Sequence, residues 1–185
     1  NAAGTVDLGN LGNGIQIVDG ANNLIGGPQP AVRNIVSGNQ GEGIRIDGAL
    51  ATGNMIRGNY VGTSASGAAD LGNSLSGVYI RNAPGNQVID NVISGNDGFA
   101  GLAICGSGQT CGGGDAGTQT SNASGNIVQG NLVGTSAVGT GALGNTQRGV
   151  SIDGAPNTIV GGPLASHRNV ISATAAGPGI IIFDP

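Results

Sequence analysis

The chain has 185 residues, 39 of them Gly, with 9% charged and 2% aromatic residues and a net charge of −4. It contains no Lys and six Arg, so it has no basic patch able to displace counterions, which argues against nucleic acid or an anionic membrane surface as a partner. No run approaches the roughly 20 apolar residues of a membrane helix, and an apolar share of 38% set in regularly spaced Ile and Val pairs is unlike a disordered chain.

Taken in order, the chain repeats itself. A first-strand motif, Gly-apolar-x-Ile, opens at Gly14, Gly43, Gly77, Gly101, Gly149 and Gly179. A second stroke opens with Asn at Asn22, Asn54, Asn86, Asn126 and Asn157, and a third with Asn at Asn34, Asn59, Asn91, Asn131 and Asn169. The spacing between first-strand glycines ranges from 24 residues (Gly77 to Gly101) to 48 (Gly101 to Gly149), while the motifs stay constant. Constant strokes with variable spacing describe one repeated coil with loops inserted at its corners.

Three short strands per turn, with side chains alternating inward and outward, predict an all-β parallel β-helix of about five coils. The inward residues stack in columns. Ile15, Ile44, Val78, Leu102, Val150 and Ile180 form one, and Ile17, Ile46, Ile80, Ile104, Ile152 and Ile182 the next. A third column is read as Leu24, Ile56, Val88, Val128 and Ile159, and a fourth as Val36, Val61, Ile93, Val133 and Ile171. Each buried aliphatic side chain contributes about 1.5–3 kcal/mol, enough for a domain so poor in aromatics. The two Asn columns fit a structural role, because Asn tolerates left-handed corners and its amide can bond the amide one rung away.

A longer period lies over the coil, with units beginning near Leu8, Leu71 and Leu143 within a single domain spanning residues 1–185. The corner loops Gly26–Arg33 and Gly161–Arg168 match each other, as do the two VGTSA phrases at Val61 and Val133. The longest insertion, residues 105–124, interrupts the repeat and holds both cysteines. Cys105 and Cys111 are each other's only possible partner, and CxxxxxC without nearby His makes a poor metal site. The expectation is a disulfide and an oxidising, extracellular compartment. Neither end reads as a capping helix, so the chain is read as an excerpt of a longer solenoid or a subunit stacked on other copies.

The GIxI, NVISGN and LGN phrases together resemble the right-handed parallel β-helix repeat family of secreted bacterial proteins. That family also includes pectate-lyase-like enzymes, epimerases, tailspikes and large surface proteins. The resemblance implies a right-handed fold, secretion or display on the cell surface and, in the enzymes, a site on the outward face of the first strand. That outward row is Gln16, Arg45, Tyr79, Ala103, Ser151 and Ile181, without a carboxylate. The nearest acids are Asp19, Asp47 and Asp153, in the turn after the strand. Asp153 lies three coils from Asp47, too far to share a substrate bond, and Asp19 and Asp47 sit in Asp-Gly turns that suit Asp on geometry alone. Asp19, Asp47 and Arg45 are the candidate catalytic set, with Ca²⁺ as the cofactor such a site would use and Tyr79 as the candidate sugar platform. His167 belongs to no repeated column and reads as an exposed loop residue. Asn122-Ala123-Ser124 is a formal glycosylation acceptor. Repeated residues absorbed by stacking, and remaining polar groups that do not converge, lead to an extracellular structural or adhesive module. It would associate end to end with copies of itself or with neighbouring coils, without catalysis. The alternative is a carbohydrate-active enzyme or polysaccharide-binding module.

Overall fold

The computed structural model describes residues 8–106 and 123–183. Coil 1 carries β1 (Ile15–Val18), β2 (Leu24–Gly26) and β3 (Ile35–Val36). Coil 2 carries β4 (Ile44–Asp47), β5 (Met55–Arg57) and β6 (Tyr60–Val61), and coil 3 carries β7 (Val78–Arg81), β8 (Gln87–Ile89) and β9 (Val92–Ile93). Coil 4 has β10 (Leu102–Cys105), β11 (Ile127–Gln129) and β12 (Leu132–Val133); coil 5 has β13 (Val150–Asp153), β14 (Ile159–Val160) and β15 (Val170–Ile171). A last strand, β16 (Ile180–Phe183), lies on β13.

Like strokes pair with like. The first strokes form a six-stranded parallel sheet, β1-β4-β7-β10-β13-β16, and the second and third strokes form two five-stranded sheets. This is a parallel β-helix, and its core is a set of vertical columns. Ile44, Ile46, Ile56, Ile80, Ile93, Leu102 and Ile104 are completely buried within it. The first two columns and the fourth pair in the register expected from the sequence.

The third column is shifted by one residue at both ends. Ile25, not Leu24, pairs with Ile56, and Val160, not Ile159, pairs with Val128. Leu24 and Ile159 face outward, 61% and 51% exposed. A one-residue slip reverses every side chain of a strand, and its cause lies at the preceding corner. Asn22 and Asn157, both at φ 58°, occupy the left-handed position held by Gly53, Gly85 and Gly125 in the other coils. The ladder position is therefore the following residue, Asn23 or Thr158.

The corrected ladder runs Asn23, Asn54, Asn86 and Asn126; its first two steps share one pattern, and in the third the Asn86 N–H donates to Asn126 Oδ1 at 2.7 Å while its Nδ2 turns to the Ala51 and Ala83 carbonyls. The Asn23 backbone N–H and Nδ2 both donate to Asn54 Oδ1, at 2.9 and 2.8 Å. Asn54 makes the same pair of bonds to Asn86 at 2.9 and 3.0 Å. The second ladder, Asn34, Asn59, Asn91, Asn131 and Asn169, follows the sequence reading without a shift. A third ladder precedes the first strands: Asn10, Asn39, Asn73, Asn96 and Asn145. All five of its members follow Gly in a repeated xGN phrase (Gly9, Gly38, Gly72, Gly95, Gly144). With three ladders, each corner of the coil pairs the Asn amides it buries.

The two VGTSA phrases form matching hairpin-like loops, each closed by an isolated antiparallel bridge, Thr63 with Asp70 and Thr135 with Ala142. They come from coils 2 and 4 yet touch, the Ala137 N–H donating to the Gly67 carbonyl at 2.9 Å across the short corner of coil 3. The two-coil period in the sequence thus becomes a continuous ridge on one edge of the solenoid.

Candidate functional site

The outward row of the first sheet is Gln16, Arg45, Tyr79, Ala103, Ser151 and Ile181, in that pairing order. The row beside it, at the strand ends, is Val18, Asp47, Arg81, Cys105, Asp153 and Phe183. Asp47 therefore closes β4 rather than sitting in the turn after it. It is held by two guanidinium groups. Arg45 Nη2 donates to its Oδ2 at 2.9 Å, and Arg81 grips both oxygens, Nε to Oδ1 at 3.1 Å and Nη2 to Oδ2 at 2.9 Å. Arg45 Nη1 also lies 3.4 Å from Glu42 Oε1, which makes a four-member charged strip across coils 2 and 3.

Burial alone would push the Asp47 carboxyl up, but the hydrogen bonds and charges of Arg81 and Arg45 outweigh it and hold it below the usual range. A carboxylate so held is a poor proton acceptor. Asp19 lies one residue out of register with Asp47: Val18 is the partner of Asp47, and Asp19 (φ 51°) stacks its carboxylate over Gly48 of the next coil. Its Oδ1 accepts the Leu50 N–H at 3.4 Å. The two acids line one shallow depression of about 430 Å³ together with Arg81, Asn82 and Leu50. Arg45 joins them only through Asp47.

Tyr79 does not offer an open platform. It is 3% exposed and forms a second small apolar cluster with Ala100, Ala103 and Cys105, flanked by Phe99. The sequence places it outward correctly, but the middle of this outer face, Tyr79, Ala103 and Ser151, is buried, so outward here does not mean exposed. Desolvation raises the Tyr79 hydroxyl above its ordinary value, against the pull of the Arg81 and Arg45 charges. All four aromatic residues of the chain have a guanidinium over one ring face. Arg33 stacks on Tyr60 at 3.9 Å, Arg45 on Tyr79 at 5.2 Å, and Arg148 on Phe99 at 4.0 Å and Phe183 at 5.8 Å. Faces used this way are not presented to a sugar ring.

The donor set does not fit Ca²⁺, which takes six or more oxygens. Both Asp47 oxygens already accept from guanidinium groups, and among the described residues no group of three or more His, Cys, Asp or Glu side chains could hold a metal. His167 is half-buried rather than exposed, with Nδ1 turned in against Gly162. Cys105 ends β10 in the apolar cluster; its expected partner Cys111, and Asn122 of the acceptor triplet, lie outside the described residues. Arg81 and Glu42 escaped the sequence reading. Register alone could have found Arg81, since GIRID and GVYIR align Asp47 with it.

No helix among the described residues is long and apolar enough to cross a membrane. No family model, curated protein or solved structure matches this chain.

Proposed function

We propose that this chain is an extracellular structural or adhesive module of the right-handed parallel β-helix kind, stacked with neighbouring coils in a longer surface protein or in a filament, and not a catalyst. The observation that supports this reading is where the polar chemistry goes. The recurring Asn residues are buried and bonded to one another, and the candidate acid Asp47 is neutralised by two arginines. The aromatic faces are covered in the same way. A Cys105–Cys111 disulfide would suit the same oxidising setting.

One observation favours a second reading, a polysaccharide site: Asp19, Asp47 and Arg81 do share a depression. A screen of acidic polysaccharides with and without Ca²⁺, on the protein and on Asp47→Ala, separates the two. The structural reading expects neither binding nor cleavage. Cleavage that disappears in Asp47→Ala contradicts it and establishes the enzyme.

A further inference from the structure

The corner between second and third strokes is tight in coils 2, 3 and 4 but carries matching loops in coils 1 and 5. Each loop closes in a short 3-10 turn, Pro30–Val32 or Ala165–His167, followed by an arginine. The two arginines have the same backbone: Arg33 at φ −69°, ψ 135° and Arg168 at φ −68°, ψ 123°. Each N–H donates to the first carbonyl of its turn at 3.3 Å. Their side chains therefore leave the chain in the same direction.

What they reach differs. Arg33 extends onto coil 2, where its Nε donates to the Gly58 carbonyl at 3.1 Å and its guanidinium lies 3.9 Å from the centre of the Tyr60 ring. The adjoining Asn34 donates its N–H and Nδ2 to Asn59 Oδ1 at 3.2 and 2.9 Å. One Gly-Asn-Tyr triplet thus takes both side chains. Arg168 and Asn169 repeat that pair on coil 5, but Arg168 is exposed. It borders a depression of about 630 Å³ with Val160, Leu164, Asn169, Ile171 and Ile180. Ile171 ends the inward column of Val36, Val61, Ile93 and Val133, so this surface continues the coil-on-coil interface that runs through the molecule.

We propose that this depression seats a further parallel coil of the coil 2 kind, continuing from β16: a left-handed glycine whose carbonyl meets Arg168 Nε, then Asn, then an aromatic residue under the guanidinium. The inference rests on the structural reading above and names the partner that reading requires. A second copy of the chain fits less well. Stacked end to end, it would present coil 1, whose corner is the long loop Gly26–Arg33 and whose residue in the Tyr60 column is Ile35. It offers no ring there and sets two long loops on successive rungs. Within the molecule each such loop faces a glycine corner instead, Gly58 above the first and Gly130 below the second.

Two extended forms of the full chain test the assignment. Residues 50–76 joined after Pro185 complete, in register with β16, a coil of the second kind; residues 21–42 joined at the same point complete one of the first kind. The coil 2 extension is expected to raise the thermal midpoint by about 5 °C and to protect its added strands from amide exchange. Arg168→Ala should remove most of that rise while leaving the midpoint of the unextended chain unchanged. Rapid exchange throughout the added coil, a gain untouched by Arg168→Ala, or an equal gain from the coil 1 extension would each overturn the proposal. So would end-to-end association of the unextended chain in sedimentation that Arg168→Glu abolishes. Binding or cleavage of a polysaccharide by the unextended chain would instead overturn the structural reading and leave this test standing.

Discussion

Two polar regions of this solenoid use their groups in opposite ways. The Asn corners are neutral, repeat in every interior coil and are almost completely buried: Asn54, Asn59, Asn86, Asn96, Asn126 and Asn131 are all 0% exposed. Each Oδ1 accepts from the rung before, and each Nδ2 donates to buried carbonyls or to the Asn of the next rung, so deleting one leaves several partners stranded. The strip at the end of the first strands is charged, confined to Glu42, Arg45, Asp47 and Arg81, and partly wet. Its column changes chemistry at each rung, from Val18 through Cys105 to Phe183. Where one polar residue recurs in a column, the column belongs to the scaffold. Where it does not recur, burial and partners have to be read individually.

The largest effect is expected at the centre of a ladder. Asn91 donates Nδ2 to the Ile56 and Ile89 carbonyls, both at 2.9 Å, and to Asn131 Oδ1 at 3.1 Å, while its Oδ1 accepts from Asn59. Asn91→Ala strands the buried Asn59 N–H and two carbonyls, which should cost about 3 kcal/mol or more in denaturant unfolding. Asn23→Ala, at the end of a ladder, should cost about 1 kcal/mol. Equal losses at the two positions would break the comparison.

A smaller effect follows at the strip. Asp47→Asn removes the carboxylate that Arg81 grips and that Arg45 bridges to Glu42, and should cost about 2 kcal/mol near neutral pH. The sign of its pH dependence is fixed by the direction of the shift. The folded carboxyl titrates below its unfolded reference of about 3.9, so the folded state holds fewer protons in that interval. The contribution is complete above the unfolded value and is lost as pH falls through the folded one. Wild type should therefore lose stability faster than Asp47→Asn below about pH 4, as followed by denaturant midpoints across pH. Parallel acid limbs would show that Asp47 is not preferentially ionised in the fold.

The architecture was legible because period and stacking are both written in residue type. Ile and Val mark the columns, and Asn before each stroke marks the ladders. The third column failed only where two candidates stood side by side: Asn22-Asn23 and Asn157-Thr158 each offer a corner residue and a ladder residue, and motif spacing does not say which is which. The left-handed position decides it. The candidate site was harder to read for a different reason. Asp19 and Asp47 look equivalent in VDGA and IDGA, but coil 1 holds one extra residue, Val18, before its turn. Tyr79 is correctly outward, and only the packing of Ala100, Ala103 and Phe99 around it reveals that its ring is enclosed. Arg33 and Arg168 are indistinguishable in sequence context, and only the coil beyond each sets them apart.

Site-resolved native-state hydrogen exchange tests the central claim most directly, because the backbone N–H groups of Asn54, Asn59, Asn86 and Asn91 donate to Asn Oδ1 atoms rather than to carbonyls. If the ladders hold the coils together, these four corner amides should be among the slowest in the wild-type chain, exchanging only with global unfolding. In Asn91→Ala the Asn59 N–H should lose that protection first. Corner amides that exchange as fast as the exposed loop around Val138 in the wild type would contradict the account.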